Sequence, residues 1–414
     1  MLTIRAYAAA AGLIAALASP AALAEQVRIA FIESLSGPFA PVGHNLLRSW
    51  QSMAALANSE KWAGKHTLEV VGFDSKGSPQ ESLNLLRSAI DQGYRYISQG
   101  SSSGVGLALM DAIDKHNQRH PGKEVVYLNY GASDPDMTNS RCSFWHFRFD
   151  ANSDMKLEAL TSYMAAKKDL HKVYIIGQNY SFGHQVSRAV REYLGRKRPD
   201  VQIVGDDLHP IGQVKDFAPY VAKIKASGAD TVITGNWGAD LALLVKAGKD
   251  ADLQANFYTL YAGTTGVATA IGAAGAGRMR TVAYWNSNDG AGTGAGIVAA
   301  FDKKYDDDFY GMATYTAAAM LAKAIREGGS TDPVKVAHRM SGMKIMSLNG
   351  EVEMRRTDHQ LQQPLYVMSW ARVDGKQVRF DRENTGYGWK TEKKIDTYVA
   401  SQPTSCHMKR PDGG

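Results

Sequence analysis

Short runs of apolar and β-branched residues alternate along this chain with longer segments whose apolar positions recur every three or four residues. The short runs read as buried strands and the longer segments as amphipathic helices. In the first third, the pattern predicts strands at 27–32, 67–73, 94–98 and 124–129, separated by helices at 42–58, 79–92 and 105–118. Pro79 suits a helix start, because a first turn leaves its N–H groups unpaired anyway. The rhythm restarts with helices at 153–168, 182–195, 217–226 and 239–247 and strands at 172–176, 201–205, 230–234 and 256–260. A Gly/Ala-rich stretch (263–277) follows, then a strand at 280–285 and helices at 297–304 and 313–327. Such alternation implies parallel sheets with helices on both faces. The expected fold is α/β, with two doubly wound parallel-sheet lobes of one kind. The tail differs: 350–355, 363–372 and 376–380, with a turn at Asp374-Gly375, predict an antiparallel meander.

The first 24 residues carry Arg5, an apolar run from Ala6 to Ala18, a break at Ser19-Pro20 and the small-residue ending Ala22-Leu23-Ala24. This predicts a cleaved secretory signal peptide and a periplasmic protein. The run is about 13 residues, short of the roughly 20 needed to span a bilayer. Removing residues 1–24 leaves 390 of 414 and, with Arg5 gone, changes the net charge from +6 to +5. That length suits two lobes better than one core. The basic residues are dispersed and not interleaved with aromatics, which argues against nucleic acid. Cys142 and Cys406 are the only cysteines, and in an oxidising compartment such a pair is expected to form a disulfide that pins the C-terminal tail.

Gly100-Ser101-Ser102-Ser103-Gly104 lies between a predicted strand and a predicted helix. It admits three readings. The helix N-terminus and serine hydroxyls could grip a carboxylate, the turn could simply cap the helix, or Ser102 could be the nucleophile of a secreted serine hydrolase. No histidine context among His184, His209, His338 and His359 singles out a catalytic partner. A second turn, from Asn129 through Gly131, Ala132 and Ser133 to Pro135, ends the next strand, and ligands in open α/β sheets sit at such ends. Asn179–Gly183 (with Tyr180 and Phe182), Asn236-Trp237-Gly238 and Tyr258–Tyr261 place aromatic residues after strands of the second half. His116 and His120 have helical metal-ligand spacing but no nearby third ligand, and the glycines at 290–296 miss the dinucleotide fingerprint. Neither a metal nor another cofactor is expected.

Leu35-Ser36-Gly37-Pro38, the serine turn, Gly131-Ala132-Ser133, Tyr180–Gly183 and Gly235-Asn236-Trp237 together resemble the type 1 periplasmic binding proteins of branched-chain amino acid ABC transporters. The resemblance implies two lobes joined by a three-crossover hinge near 147–150, 284–286 and 344–347. It divides the chain into lobe 1 (25–147 plus 286–345), lobe 2 (148–285 plus 346–400) and a tail (401–414). It also implies a non-enzymatic monomer that closes on a small molecule and delivers it to an inner-membrane permease. Ser36, Phe39, Ser101, Ser102, Ser103, Gly131, Ala132, Ser133, Tyr180, Phe182, Asn236, Trp237 and Tyr261 are its implied ligand-binding residues.

Two departures bear on the ligand. Val42 stands before Gly43 where the family's amino-acid binders usually carry tyrosine, and Tyr261 falls at or beside the acid that neutralises an α-ammonium. An ammonium left unpaired in a closed cleft costs several kcal/mol. The expected ligand is therefore a small carboxylate with an apolar or aromatic body, such as a benzoate or phenylpropenoate. An acid reaching the cleft from elsewhere, Asp240 for example, would restore amino acids as ligands. Small amides are a further alternative.

Overall fold

The computed structural model describes residues 24–289 and 293–412, so the leader (except Ala24) and Gly290–Gly292 lie outside the described residues. The first lobe is built from β1 (Gln26–Glu33), α1 (Ala40–Ser59), β2 (Thr67–Asp74), α2 (Pro79–Asp91), β3 (Tyr96–Gln99), α3 (Ser103–Arg119), β4 (Val126–Asn129) and β5 (His146–Arg148). Its parallel sheet has the order β2-β1-β3-β4-β5. The helix starts follow local chemistry: Ser78 accepts from the Glu81 N–H ahead of Pro79, satisfying a donor that the first turn leaves free. Leu46, Trp50, Met53 and Ala57 form the buried stripe of α1, which packs on the Met312–Gly328 helix.

The second lobe follows with α4 (Ser153–Met164), β6 (Lys172–Gln178), α5 (Ser181–Lys197), β7 (Gln202–His209), α6 (Ala218–Ala226), β8 (Thr231–Thr234), α7 (Gly238–Asp250), β9 (Asn256–Thr259) and β10 (Met279–Ala283). Its parallel strands run β7-β6-β8-β9-β10, the same order as in the first lobe. The two halves thus repeat one topology, as the pattern of elements predicted.

The tail departs from the expected meander. Gly350–Met354 pairs with Lys344–Ser347 and Leu361–Gln362 in a separate small sheet, whereas Leu365–Arg372 joins the second lobe antiparallel to β10. The outer partner of Leu365–Arg372 is Tyr387–Ile395, not 376–380. Backbone donors of that last segment go to side chains instead. Val378 donates to Asp374 Oδ1 (2.9 Å), while Arg379 and Phe380 donate to Asn288 Oδ1 (2.7 and 2.8 Å).

The chain passes between the sheets after β5, after β10 and through the small sheet. Arg148, fully buried, stitches the first passage to the third by donating to Gln360 Oε1 (2.6 Å) and to the Asp134 carbonyl (2.6 Å). Gln360 and Gln363 in turn donate to the carbonyls of Asp150 and Phe149, each at 2.8 Å. Beyond Tyr387–Ile395, a short helix (Thr397–Ala400) packs on α4, and the tail then crosses to the first lobe. There Thr404 donates to the Thr138 carbonyl (2.7 Å), and Cys406 forms the disulfide with Cys142 (Cα–Cα 5.7 Å).

Beside this strap, His359 is fully buried, stacks on Phe147 (4.1 Å between centroids) and lies 2.9 Å from Ser341 Oγ. Burial pushes its pKa down to about 3. The folded protein therefore refuses a proton that the unfolded chain takes near pH 6.5, so stability is lost as pH falls below that value. His359 alone should remove about 2 kcal/mol between pH 7 and pH 5, and His146, also depressed by burial, acts in the same direction. Urea melts at the two pH values check this. A His359→Asn variant with an unchanged pH slope would refute the assignment.

Candidate ligand-binding site

In a doubly wound sheet the crevice opens where neighbouring strands lead their connections to opposite faces. In the first lobe that point lies between the ends of β1 and β3, at Glu33 and at Gly100-Ser101. In the second it lies between the ends of β6 and β8, at Tyr180–Phe182 and Trp237. The two crevices face each other around a cavity with about 980 Å³ of unfilled space, partly open to solvent. Rings from both lobes wall it, including Tyr130, Tyr180, Phe182, Trp237, Tyr261 and Tyr284.

Glu33 occupies the carboxylate grip predicted from the serine turn. Its side chain is 2% exposed, and Oε1 accepts from the N–H groups of Gly100 and Ser101, both at 2.8 Å. The Ser101 hydroxyl and the Tyr130 hydroxyl donate to the same carboxylate. The second turn is likewise satisfied internally, with Asn129 Oδ1 accepting from Gly131 N (3.0 Å) and Ala132 N (2.8 Å). The N–H groups of Gly100, Ser101, Gly131 and Ala132, expected to be open to a ligand, are therefore used by the protein. Hydroxyls remain: Ser103 Oγ accepts from Asp134 N (3.2 Å), which leaves its proton to donate.

A polar cluster joins the lobes on the cavity wall. Ser133 Oγ lies 2.6 Å from the Tyr261 hydroxyl, which also reaches the Gly131 carbonyl (3.1 Å) and Asp150 Oδ2 (3.3 Å). Lys156 donates to Asp150 Oδ2 (2.7 Å), and its ammonium sits 4.0 Å above the Tyr261 ring. Burial raises the Asp150 pKa, lowers that of Lys156 and holds the Tyr261 hydroxyl well above the usual phenol range, the last reinforced by the Asp150 charge. Arg382 also lines the cavity, paired with Asp308 at 3.2 Å.

At the rim, the Phe39 ring of the first lobe packs at a tilt on Trp237 of the second (4.1 Å between centroids). Its ring needs the bare backbone of two glycines. A Cβ on Gly212 would come within 2.9 Å of it and one on Gly238 within 3.2 Å, and both glycines have positive φ. Trp237 Nε1 donates to the Tyr180 hydroxyl (3.0 Å), locking the second-lobe rings together.

Of the residues selected from sequence, Ser101, Ser103, Gly131, Ala132, Ser133, Tyr180, Phe182, Trp237 and Tyr261 line the cavity. Four do not. Ser36 is exposed and hydrogen-bonds Asp74, whose carboxyl is held below the usual range by that bond and backbone donors despite burial. Phe39 closes the rim. Ser102 begins α3 without a side-chain cap, and none of His184, His209, His338 or His359 is hydrogen-bonded to it. Asn236 turns away to His209, with Nδ2 2.8 Å from Nε2. Asp240 does not line the cavity; it accepts from Gln178 (2.8 Å) and Gly212 N (2.9 Å). Glu33, Asp150, Lys156 and Arg382 had no sequence signal beyond their charge.

Two repeated α/β lobes closing on a ring-lined cavity define a hinged ligand-binding protein. The sequence profile of the periplasmic binding protein family matches residues 26–377, and the chain belongs to that family. It is 32% identical over 401 residues to the Leu/Ile/Val-binding protein homolog 4 of Brucella abortus, covering 94% of each chain. The solved leucine-, isoleucine-, valine-, threonine- and alanine-binding protein of Brucella ovis, in its closed conformation, superposes with a TM-score of 0.82 at 30% identity, over 94% of this chain and 100% of that one. A solute-binding protein of an ABC transporter from R. palustris, in complex with 4-hydroxybenzoate, superposes with a TM-score of 0.76 at 21% identity, over 90% and 97%.

Proposed function

We propose that this protein is the periplasmic solute-binding component of an ABC importer. It closes on a small carboxylate with an aromatic body and passes it to the membrane permease. The observation that carries the ligand class is a ring-walled cavity without an uncompensated carboxylate. Asp150 is the acidic residue among those lining the cavity, and it is paired with Lys156. An α-ammonium entering here would find no carboxylate on the cavity wall free of a partner cation. A carboxylate instead finds the Ser103 and Ser133 hydroxyls on the wall, and aromatic faces suit a flat apolar body. The 4-hydroxybenzoate held by the R. palustris neighbour agrees with this reading, whereas the Brucella ovis relative favours aliphatic amino acids.

A thermal-shift series on refolded mature protein separates the two. A ligand at 100 times its Kd adds about 2.7 kcal/mol to stability, several degrees of Tm. Benzoates and phenylpropenoates are expected to raise Tm and leucine or valine to leave it unchanged. A shift with leucine or valine alone would reject the aromatic-acid reading.

A further inference from the structure

Arg382 arises in the connection between the strands Leu365–Arg372 and Tyr387–Ile395 and borders the cavity, 6% exposed. Its Nε faces Asp308 Oδ2 at 3.2 Å, and Nη2 donates to the Gly263 carbonyl at 3.3 Å. Nη1 has no acceptor among the described residues. It is nevertheless not one of the buried side-chain atoms that are both unpartnered and closed to solvent, so it keeps accessible surface. A guanidinium has only donors, and in a largely apolar wall an N–H gains more from a ligand oxygen than it would in open water.

The position of Arg382 indicates which end of a ligand it meets. The Ser103 and Ser133 hydroxyls mark the carboxylate end proposed above. Tyr261 leads away from it: its hydroxyl lies 2.6 Å from Ser133 Oγ, and Gly263, which accepts from Arg382, follows it by two residues. A flat body lying along that ring carries its far substituent toward the guanidinium. Arg382 also lies across the cleft. The Asp308 carbonyl accepts from Asn45 Nδ2 of α1 (2.9 Å), whereas Gly263 follows β9 in the second lobe. A bond from ligand to Arg382 is thus made where both lobes meet, and it favours the closed state. The far substituent must offer a lone pair. An alkyl group leaves Nη1 unpaired and an ammonium is repelled, whereas a carbonyl or carboxylate oxygen accepts.

We infer that Arg382 is a specificity-determining residue of this cleft and that the solute is an aromatic acid with a carbonyl or carboxylate oxygen at its far end. The inference rests on the aromatic-acid reading above.

Calorimetry on the refolded protein with benzoate and with the meta and para pairs of acetylbenzoate and isopropenylbenzoate tests this. Each pair exchanges one oxygen for a CH2 group at constant charge and similar shape. At least one acetyl acid is expected to bind about tenfold to a hundredfold more tightly than its isopropenyl partner. The double variant Arg382→Met with Asp308→Asn removes the ion pair without leaving a lone charge. It keeps an oxygen for the Glu383 N–H, which Asp308 Oδ2 accepts at 2.9 Å. This variant should bind both members of that pair equally and still bind benzoate. A residue that only braced the closed arrangement would weaken every acid alike, so a folded double variant that retained the acetyl preference would overturn the inference. Equal affinity within both pairs in the unmodified protein would overturn it while leaving the aromatic-acid reading standing; this comparison needs no variant to fold. Exclusion of all four substituted acids with benzoate still bound would overturn it as well. Binding of none of the acids would instead remove the proposed ligand class, and this inference with it.

Discussion

Replacing Glu33 with alanine is expected to cost about 3–5 kcal/mol of stability, because three buried donor groups lose their acceptor together. Gly100 N and Ser101 N both bond Oε1 at 2.8 Å, and the Tyr130 hydroxyl donates to the same oxygen. Each orphaned donor costs about 1–3 kcal/mol, and water entering the vacated space recovers part of the sum. Glu33→Gln keeps a carbonyl oxygen for the two backbone donors and should lose much less. Acetate or formate should raise the Tm of the alanine variant, since either refills the same donors, and should leave the unmodified protein where it was. Denaturant midpoints and melts with and without acetate check both points. An alanine variant as stable as the parent would show that Glu33 is not what organises the turn.

Breaking the Cys142–Cys406 bond is the second large effect. The bridged residues are 264 apart in sequence, and the loop-entropy relation assigns a closure of that size about 5.6 kcal/mol. Because the bridged tail runs from the second lobe to the first, reduction also frees a covalent path between the lobes in addition to the three passages of the main chain. The Cys142→Ser/Cys406→Ser variant and the reduced parent should melt together, several degrees below the oxidised protein, and reductant should not move the variant further. Coincident melts of oxidised and reduced parent would mean the strap contributes nothing.

The repeated βα rhythm made both lobes legible, since hydrophobic period and turn residues are local signals. Strand pairing at the C-terminal edge was not. Tyr387–Ile395 exposes Glu392, Lys393 and Lys394 in a row, the charge pattern of an edge strand, which interrupts an apolar alternation. Part of the cavity wall could be named because it follows strand ends, whereas Trp285, Phe309, Tyr310 and Trp389 could not. The residues that settle its electrostatics could not. Glu33 meets partners 67 and 97 positions away, and the neutralisation of Asp150 depends on how the first turn of α4 sets Lys156 against it. Neither relation leaves a trace in spacing or composition. The same distance explains why the serine turn looked vacant in sequence.

The cross-cleft contacts carry a thermodynamic consequence. Phe39 on Trp237 and Ser133 on Tyr261 are made wholly by protein atoms, so they favour the closed arrangement whatever solute is present. The affinity a transporter sees is the intrinsic one reduced by the fraction of molecules already competent to hold the solute. Phe39 and the paired glycines that seat it, which do not line the cavity, thereby bear on apparent affinity through the closed arrangement and not through contact with the solute.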